Sequence, residues 1–371
     1  MEPRISLEAV RDALPTLDGA VYLNTGGAGP LPMVVARAIE RALAGSLARC
    51  RASLSAYDAM TARHEGMRLR LAALLAAHPD EIALSTGSSA GMNTFVWSID
   101  WKPGDEVVTT SLEHPGLMAP LHVAAQRHGV RLHVLPLTSG GEDLEARVRA
   151  LTNARTRLVA LSHVSYATGA RLDVEGAARA ARDAGALVLV DGAQGAGSVP
   201  TDPRAMGADG YALSGQKWLL GPDSTGCLYV RPELVEVLRV TFPSWLSWKR
   251  GTYEFAPGAV RFEPGWIPTA SLEGLLSSLE FAEEAGDGRF ARACAMAERC
   301  LELVAERTRV VTPPGQATLV TFSPEEDATE LVARLGAAGV VIRDLPGLGW
   351  ARASVGFWTS DEDLERLAAG I

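Results

Sequence analysis

Two side chains in the stretch 187–218 can carry covalent chemistry together. The apolar run LVLV at 187–190 reads as a short buried strand. It delivers Asp191 at its C-terminal end, the edge where open α/β sheets place their ligands. A second short strand, expected over 209–213, runs into Ser214, Gly215, Gln216 and Lys217. Only three of the chain's 35 basic Lys and Arg residues are lysines: Lys102, Lys217 and Lys249. Lys217 stands apart from the other two, lodged between Gly215 and the apolar run Trp218-Leu219-Leu220. An amine in such surroundings loses part of its preference for the charged form and becomes a usable nucleophile. An acid followed by a lysine 217 − 191 = 26 residues later is the pair that pyridoxal phosphate needs. The amine takes the aldehyde, and the carboxylate keeps the pyridine nitrogen protonated so that the ring accepts electrons.

Other residues can hold what such a pair acts on. EIALSTGSSAGMN at 81–93 reads as a strand, a small-residue turn and a helix start. Gly87, Ser88 and Ser89 there offer free backbone N–H groups and two hydroxyls to a phosphate, although serine capping of the helix explains the same pattern. His114 follows a strand over 106–110, placed either to act near neutral pH or as a loop histidine. Arg352 lies in a terminal strand, ARASVGFW, where an arginine fork can bind a carboxylate through two parallel hydrogen bonds or form a salt bridge. Gly26, Gly27 and Gly29 in YLNTGGAGPLP permit backbone shapes other residues avoid, between Pro30, Pro32 and a short apolar start.

The ordered segments SHVSYATG, VDGAQGAG and SGQKWLLGP resemble the class V aminotransferase family of fold-type I pyridoxal-phosphate enzymes. Its members include cysteine desulfurases, cystine and cysteine-conjugate C–S lyases, kynureninases and isopenicillin N epimerase-like proteins. The resemblance runs from YLNTGGAGPLP to ARASVGFW. It implies that Lys217 bonds the cofactor and then moves the substrate's Cα proton, with Asp191 on the ring nitrogen and His114 stacked on the ring. Gly87, Ser88, Ser89 and Ser214 would hold the phosphate, and Gln194 would lie near the phenolic oxygen or the substrate. Arg352 would take the substrate carboxylate, with Asn24 and Gly26 lining the substrate entrance. Tyr166 stands where desulfurases usually have asparagine; kynureninase-like members have tyrosine, directed at the phosphate. RFEPGWIPT resembles a stretch whose threonine, here Thr269, reaches the partner subunit's phosphate in a homodimer. The aromatic, proline-punctuated residues 240–269 before it suit a pocket wall, a dimer contact or packing between domains.

The elements that position these groups alternate. Strands over 82–85, 106–110, 157–162, 187–190, 209–213 and 226–230, with helices between them and one near 233–238, specify a mostly parallel doubly wound sheet. Helices over 33–50 and 57–77 would cover it. Two helical runs broken around 286–288, then strands over 317–322, 340–343 and 350–355, give a smaller α+β unit. The 371 residues exceed a single core. We expect an N-terminal segment at 1–30 packing near the site and the small domain, a large cofactor-binding domain at 31–250 and a small C-terminal domain at 251–371.

With 47% hydrophobic and 21% charged residues the composition is that of a soluble globular protein. The net charge of −9 argues against a nucleic-acid partner, and no eighteen-residue apolar run argues for a membrane one. MEPRISLEAV does not read as a signal peptide, so a cytoplasmic location is expected. Cys50, Cys227, Cys294 and Cys300 lack metal-ligand spacing, so no metal site is expected.

The expected substrate is a small amino acid or amino-acid conjugate. Desulfurases carry a cysteine on a mobile loop between two C-terminal arginine positions. Here RDLPGLGWAR spans only 352 − 343 = 9 positions from Arg343 to Arg352 and holds no cysteine. The expectation is therefore C–S lyase-like β-elimination on cysteine, cystine or a cysteine S-conjugate. Class V transamination and epimerisation are the alternatives, ahead of a kynureninase-like hydrolase, a desulfurase or a non-catalytic cofactor-binding regulator.

Overall fold

A computed structural model describes residues 5–140, 142–249 and 251–371. Residues 1–4 of the expected N-terminal segment, and position 250 where the large domain was expected to end, lie outside them. Among the described residues seven strands form the main sheet, in the order Ile82–Ser85, Gly226–Val230, Gly210–Ser214, Leu187–Asp191, Thr156–Ser162, Glu106–Thr110 and Arg131–Leu135. All are parallel except Gly226–Val230, which is antiparallel to both its neighbours. The central strands read as unbroken apolar runs because both faces of the sheet are covered. Val159, Leu161, Val188 and Val190 join one core, and Leu158, Ala160 and Leu189 join the other on the opposite face. The fold class is therefore the expected one, with a mostly parallel doubly wound sheet.

A second, antiparallel sheet follows the order Arg343–Leu345, Trp350–Ser354, Leu319–Ser323 and Arg309–Val310. Its core includes Cys300, Val320, Phe322, Leu331 and Ala353, joined by Val21 and Leu23 from the start of the chain. Val21–Tyr22 pairs in parallel with Val340–Val341. The single strand expected over 340–343 is thus two, the second pairing with Trp350–Ser354. The helix expected at 233–238 is a 3₁₀ turn, Pro232–Leu234. The helical ladder breaks after it, because the Val237 and Leu238 N–H groups both donate to Leu234 O, at 3.0 and 2.9 Å, and the Arg239 N–H then goes to Ser98 O. The helix Thr269–Ala285 sets Leu272, Leu275 and Leu279 into the core of the large sheet.

Candidate active site

Five of the predicted residues converge on one cavity. His114, Tyr166, Asp191, Gln194 and Lys217 line it, with Ser162, Val164 and Ala193. They meet because each follows the C-terminal end of a parallel strand. Thr110 precedes His114, Ser162 precedes Tyr166, Asp191 ends its own strand, and Ser214 precedes Lys217. That edge is where a parallel sheet leaves its loops free to meet.

Lys217 sits in a turn held from several sides. The Gly215 N–H donates to Thr225 O at 2.7 Å, the Gly29 N–H to Gln216 O at 2.7 Å and the Leu220 N–H to Lys217 O at 3.1 Å. A side chain at Gly29 would overlap the Lys217 carbonyl, so the N-terminal loop lies directly on this turn. Leu220 holds a left-handed φ of 58°, a strained shape for a branched residue that the surrounding packing must impose. Burial pushes the Lys217 amine down to about 8; Asp191 opposes the shift, and Arg352 and Arg343 add to it. Asp191 is buried, and its Oδ1 accepts the Ala193 N–H at 2.9 Å. Burial raises its carboxyl, while Lys217 and the Ala193 N–H pull it back.

His114 caps the helix Pro115–His128, its Nδ1 accepting the Gly116 N–H at 3.0 Å. The ring's proton is therefore on Nε2. Burial, aided by Lys217, Arg343 and Arg352, pushes His114 down to about 4, so the ring is neutral at pH 7. Tyr166 stands edge-on to it, with ring centroids 5.0 Å apart and planes at 88°. Gln194 is fully engaged: its Nε2 donates to Gly26 O and its Oε1 accepts from Trp218 Nε1, each at 2.8 Å.

Arg352 is completely buried. Its Nη1 donates to Tyr166 O at 2.7 Å, while Nε and Nη2 have no partner among the described residues. Among the described residues no carboxylate pairs with it. Burial and the facing Arg343 push its guanidinium down to about 9. The free Nε–Nη2 edge is the edge with which Arg68 grips Glu263, both hydrogen bonds being 2.9 Å. A guanidinium edge without a partner is one that a carboxylate can satisfy through two parallel hydrogen bonds.

Gly87, Ser88 and Ser214 meet beside this cavity's strand ends. Gly87 holds φ 141° at the start of the helix Ser88–Ser98, a conformation glycine adopts freely. Ser214 Oγ accepts the Ser88 N–H at 3.0 Å and donates to Ser88 Oγ at 3.1 Å. The capping expected of the local serines thus comes from a neighbouring strand. The next N–H groups, of Ser89 and Ala90, have no intrahelical partner. A side chain at Gly116 would overlap Ser89 Oγ, so the N-terminus of the helix Pro115–His128 faces the same place, and two positive helix ends favour an anion there.

Asn24 bridges to Ser354, and its Oδ1 is buried without a partner. A side chain on Gly26 would meet Arg352 Nη2 at 2.6 Å, so this loop borders the arginine. Thr269 begins the helix Thr269–Ala285 and is not among the residues lining the cavity.

Glu113, which no sequence motif marks, is buried beside these residues. Its buried carboxyl accepts from Thr110 Oγ1 at 2.7 Å and from Ser162 Oγ. Burial raises it to about 7, the hydroxyl donors opposing and Asp191 adding to the shift. Only its place beside His114 could have signalled it.

A sequence model of class-V aminotransferases matches residues 21–367. The chain belongs to this family. A probable cysteine desulfurase of Pseudomonas aeruginosa is 30% identical over 94% of this chain and 92% of its own length. One from Methanothermobacter thermautotrophicus is 31% identical over 75% of this chain and 70% of its own. Among solved structures, a cystine C–S lyase in complex with its product cysteine persulfide superposes with a TM-score of 0.92 at 28% identity, covering 96% of this chain and 98% of its own. A lysine variant of C-DES with glycine covalently linked to its PLP cofactor gives 0.93 at 28%, covering 97% and 98%. Among the described residues no helix is long and apolar enough to cross a membrane.

Proposed function

We propose that the chain is a pyridoxal-phosphate-dependent C–S lyase whose preferred substrate is cystine or a similar dicarboxylate cysteine conjugate. The residues fit this cofactor. Lys217 would bond it, Asp191 would face the ring nitrogen and His114 would lie on the ring. Gly87, Ser88, Ser89 and Ser214 would cradle the phosphate, and Thr269 would complete the phosphate site of a partner subunit. When bound, pyridoxal phosphate accepts the electron pair left at the substrate's Cα.

The protein's own groups do the rest. Lys217, its amine pushed down to about 8 by burial, would hold the cofactor and would take the substrate's Cα proton on Nζ. Asp191, a buried carboxylate backed by the Ala193 N–H, would hold the ring nitrogen's proton. His114 supplies a neutral Nε2–H at the cavity. Arg352 orients the substrate through its carboxylate, fixing which Cα bond points at Lys217.

The single observation that carries the cystine reading is the hairpin of the two arginines. Arg343 is the cross-strand partner of Arg352, and both act on Lys217 and His114. Neither lines the cavity itself, but two cations acting on the residues that do suit a substrate with two carboxylates. The tight turn between them also leaves no mobile cysteine loop, and none of the four cysteines lines the cavity. Loss of the Cβ sulfur from cystine gives pyruvate, ammonium and cysteine persulfide with no protein thiol required.

Exposed Leu43, Leu47, Leu54, Tyr57 and Leu69 on the helices Met33–Ala48 and Leu54–Leu74, with Trp245 and Tyr253, support a homodimer that buries them.

Cystine, cysteine and an S-alkyl cysteine, each supplied to the holoenzyme, test the function. Pyruvate and ammonium in equal amounts, fastest from cystine, are expected. Alanine with a protein-bound persulfide would instead make it a desulfurase, and a keto acid with the cofactor left in its amine form a transaminase.

A further inference from the structure

Two guanidinium edges can be compared within this one protein, one holding a carboxylate and one without a partner among the described residues. At Glu263 the carboxylate takes both hydrogen bonds of the Arg68 edge and a third from the Leu84 N–H at 3.0 Å. At Arg352 the same guanidinium edge is open, so a third donor should stand beside it. Ser354 follows two residues later on the strand Trp350–Ser354, and that spacing puts both side chains on one face of the sheet. Ser354 is completely buried, and its Oγ has no partner among the described residues. A methyl at Gly26 would lie 2.6 Å from Arg352 Nη2 and 2.9 Å from Ser354 Oγ. Both unpartnered donors therefore border the same space beside bare backbone.

A buried hydroxyl left unmatched is costly, and one aimed at the space an arginine also leaves open has a ready use. We propose that Ser354 Oγ donates the third hydrogen bond to the substrate's α-carboxylate, and that Gly26 is bare to admit it. This rests on the reading of Arg352 as the carboxylate's anchor. Ser354 is thereby a specificity-determining residue that distinguishes amino acids from simple amines.

The test uses holoenzyme and two small ligands, glycine and the carboxylate-free methylamine, with binding read from the cofactor's absorbance. In Ser354→Ala, glycine affinity should fall about tenfold, the effect of one hydrogen bond to a charged group, while methylamine affinity stays within twofold. If glycine binding is unchanged, Ser354 does not touch the carboxylate. If both ligands weaken equally, Ser354 only supports the fold of the site. Arg352→Leu, measured alongside, separates the two layers. If it leaves glycine binding intact, the Arg352 anchor fails and this inference with it; if it weakens glycine while Ser354→Ala does not, this inference alone fails.

Discussion

Arg343 stands directly opposite Arg352 across the antiparallel hairpin that ends the second sheet. Like charges facing one another in a sheet repel, and among the described residues neither arginine has an ion-pair partner. A ligand with two carboxylates relieves both at once. Arg343→Leu should therefore raise KM for cystine about tenfold, with KM for cysteine within twofold of the parent. Steady-state kinetics on the two substrates provide the check; an equal effect on both would remove Arg343 from the distal carboxylate.

Among the described residues the Asp191 carboxylate accepts one hydrogen bond, from the Ala193 N–H, and it lines the same cavity as Lys217. Asp191→Asn keeps its shape and loses its charge. Cofactor content, measured from absorbance, should stay near one per chain, while kcat falls by orders of magnitude. A variant as fast as the parent would place the electron-accepting partner elsewhere.

The shifted Lys217 amine predicts a pH dependence for capture of the cofactor. Only the free base attacks an aldehyde, and burial pushes this amine down to about 8. The rate at which cofactor-free protein takes up pyridoxal phosphate should rise with pH and level off just above 8, followed by stopped-flow absorbance. A rise that continues towards pH 10, as for an ordinary lysine, would contradict a buried amine.

How much of this was legible in the sequence follows from what short patterns encode. Asp191, His114, Tyr166 and Lys217 each follow a short apolar or β-branched run, so strand ends could be counted and their convergence expected. The pairing of Arg343 with Arg352 was not legible, because hairpin register depends on where a two-way turn falls, not on composition. Ser354 was within reach, since its i, i+2 spacing from Arg352 marks a shared face. Its lack of a partner needed the packed structure. The helix expected at 233–238 failed because the Val237 and Leu238 N–H groups converge on one carbonyl, Leu234 O, which breaks the helical ladder. Glu113 escaped because its neighbours Thr110 and Ser162 come from different strands.

Glu113 supplies a stability prediction. Its carboxyl is raised from the ordinary value of 4.5 to about 7 by burial. A group raised in the folded state contributes stability that is full below its unfolded pKa and is lost as pH rises through its folded one. The parent should therefore lose stability relative to Glu113→Gln between pH 4.5 and 7. Paired thermal or urea unfolding across that range measures the gap, which should widen with pH. A gap independent of pH would mean that Glu113 is charged when folded.

The most direct measurement maps the covalent bond itself. Holoprotein is treated with borohydride, digested and analysed by mass spectrometry. The pyridoxal phosphate label should fall on one peptide, at Lys217, and Lys217→Ala should carry none. Label on Lys102 or Lys249, or no label on the reduced parent protein, would contradict an active centre built on Lys217 and Asp191.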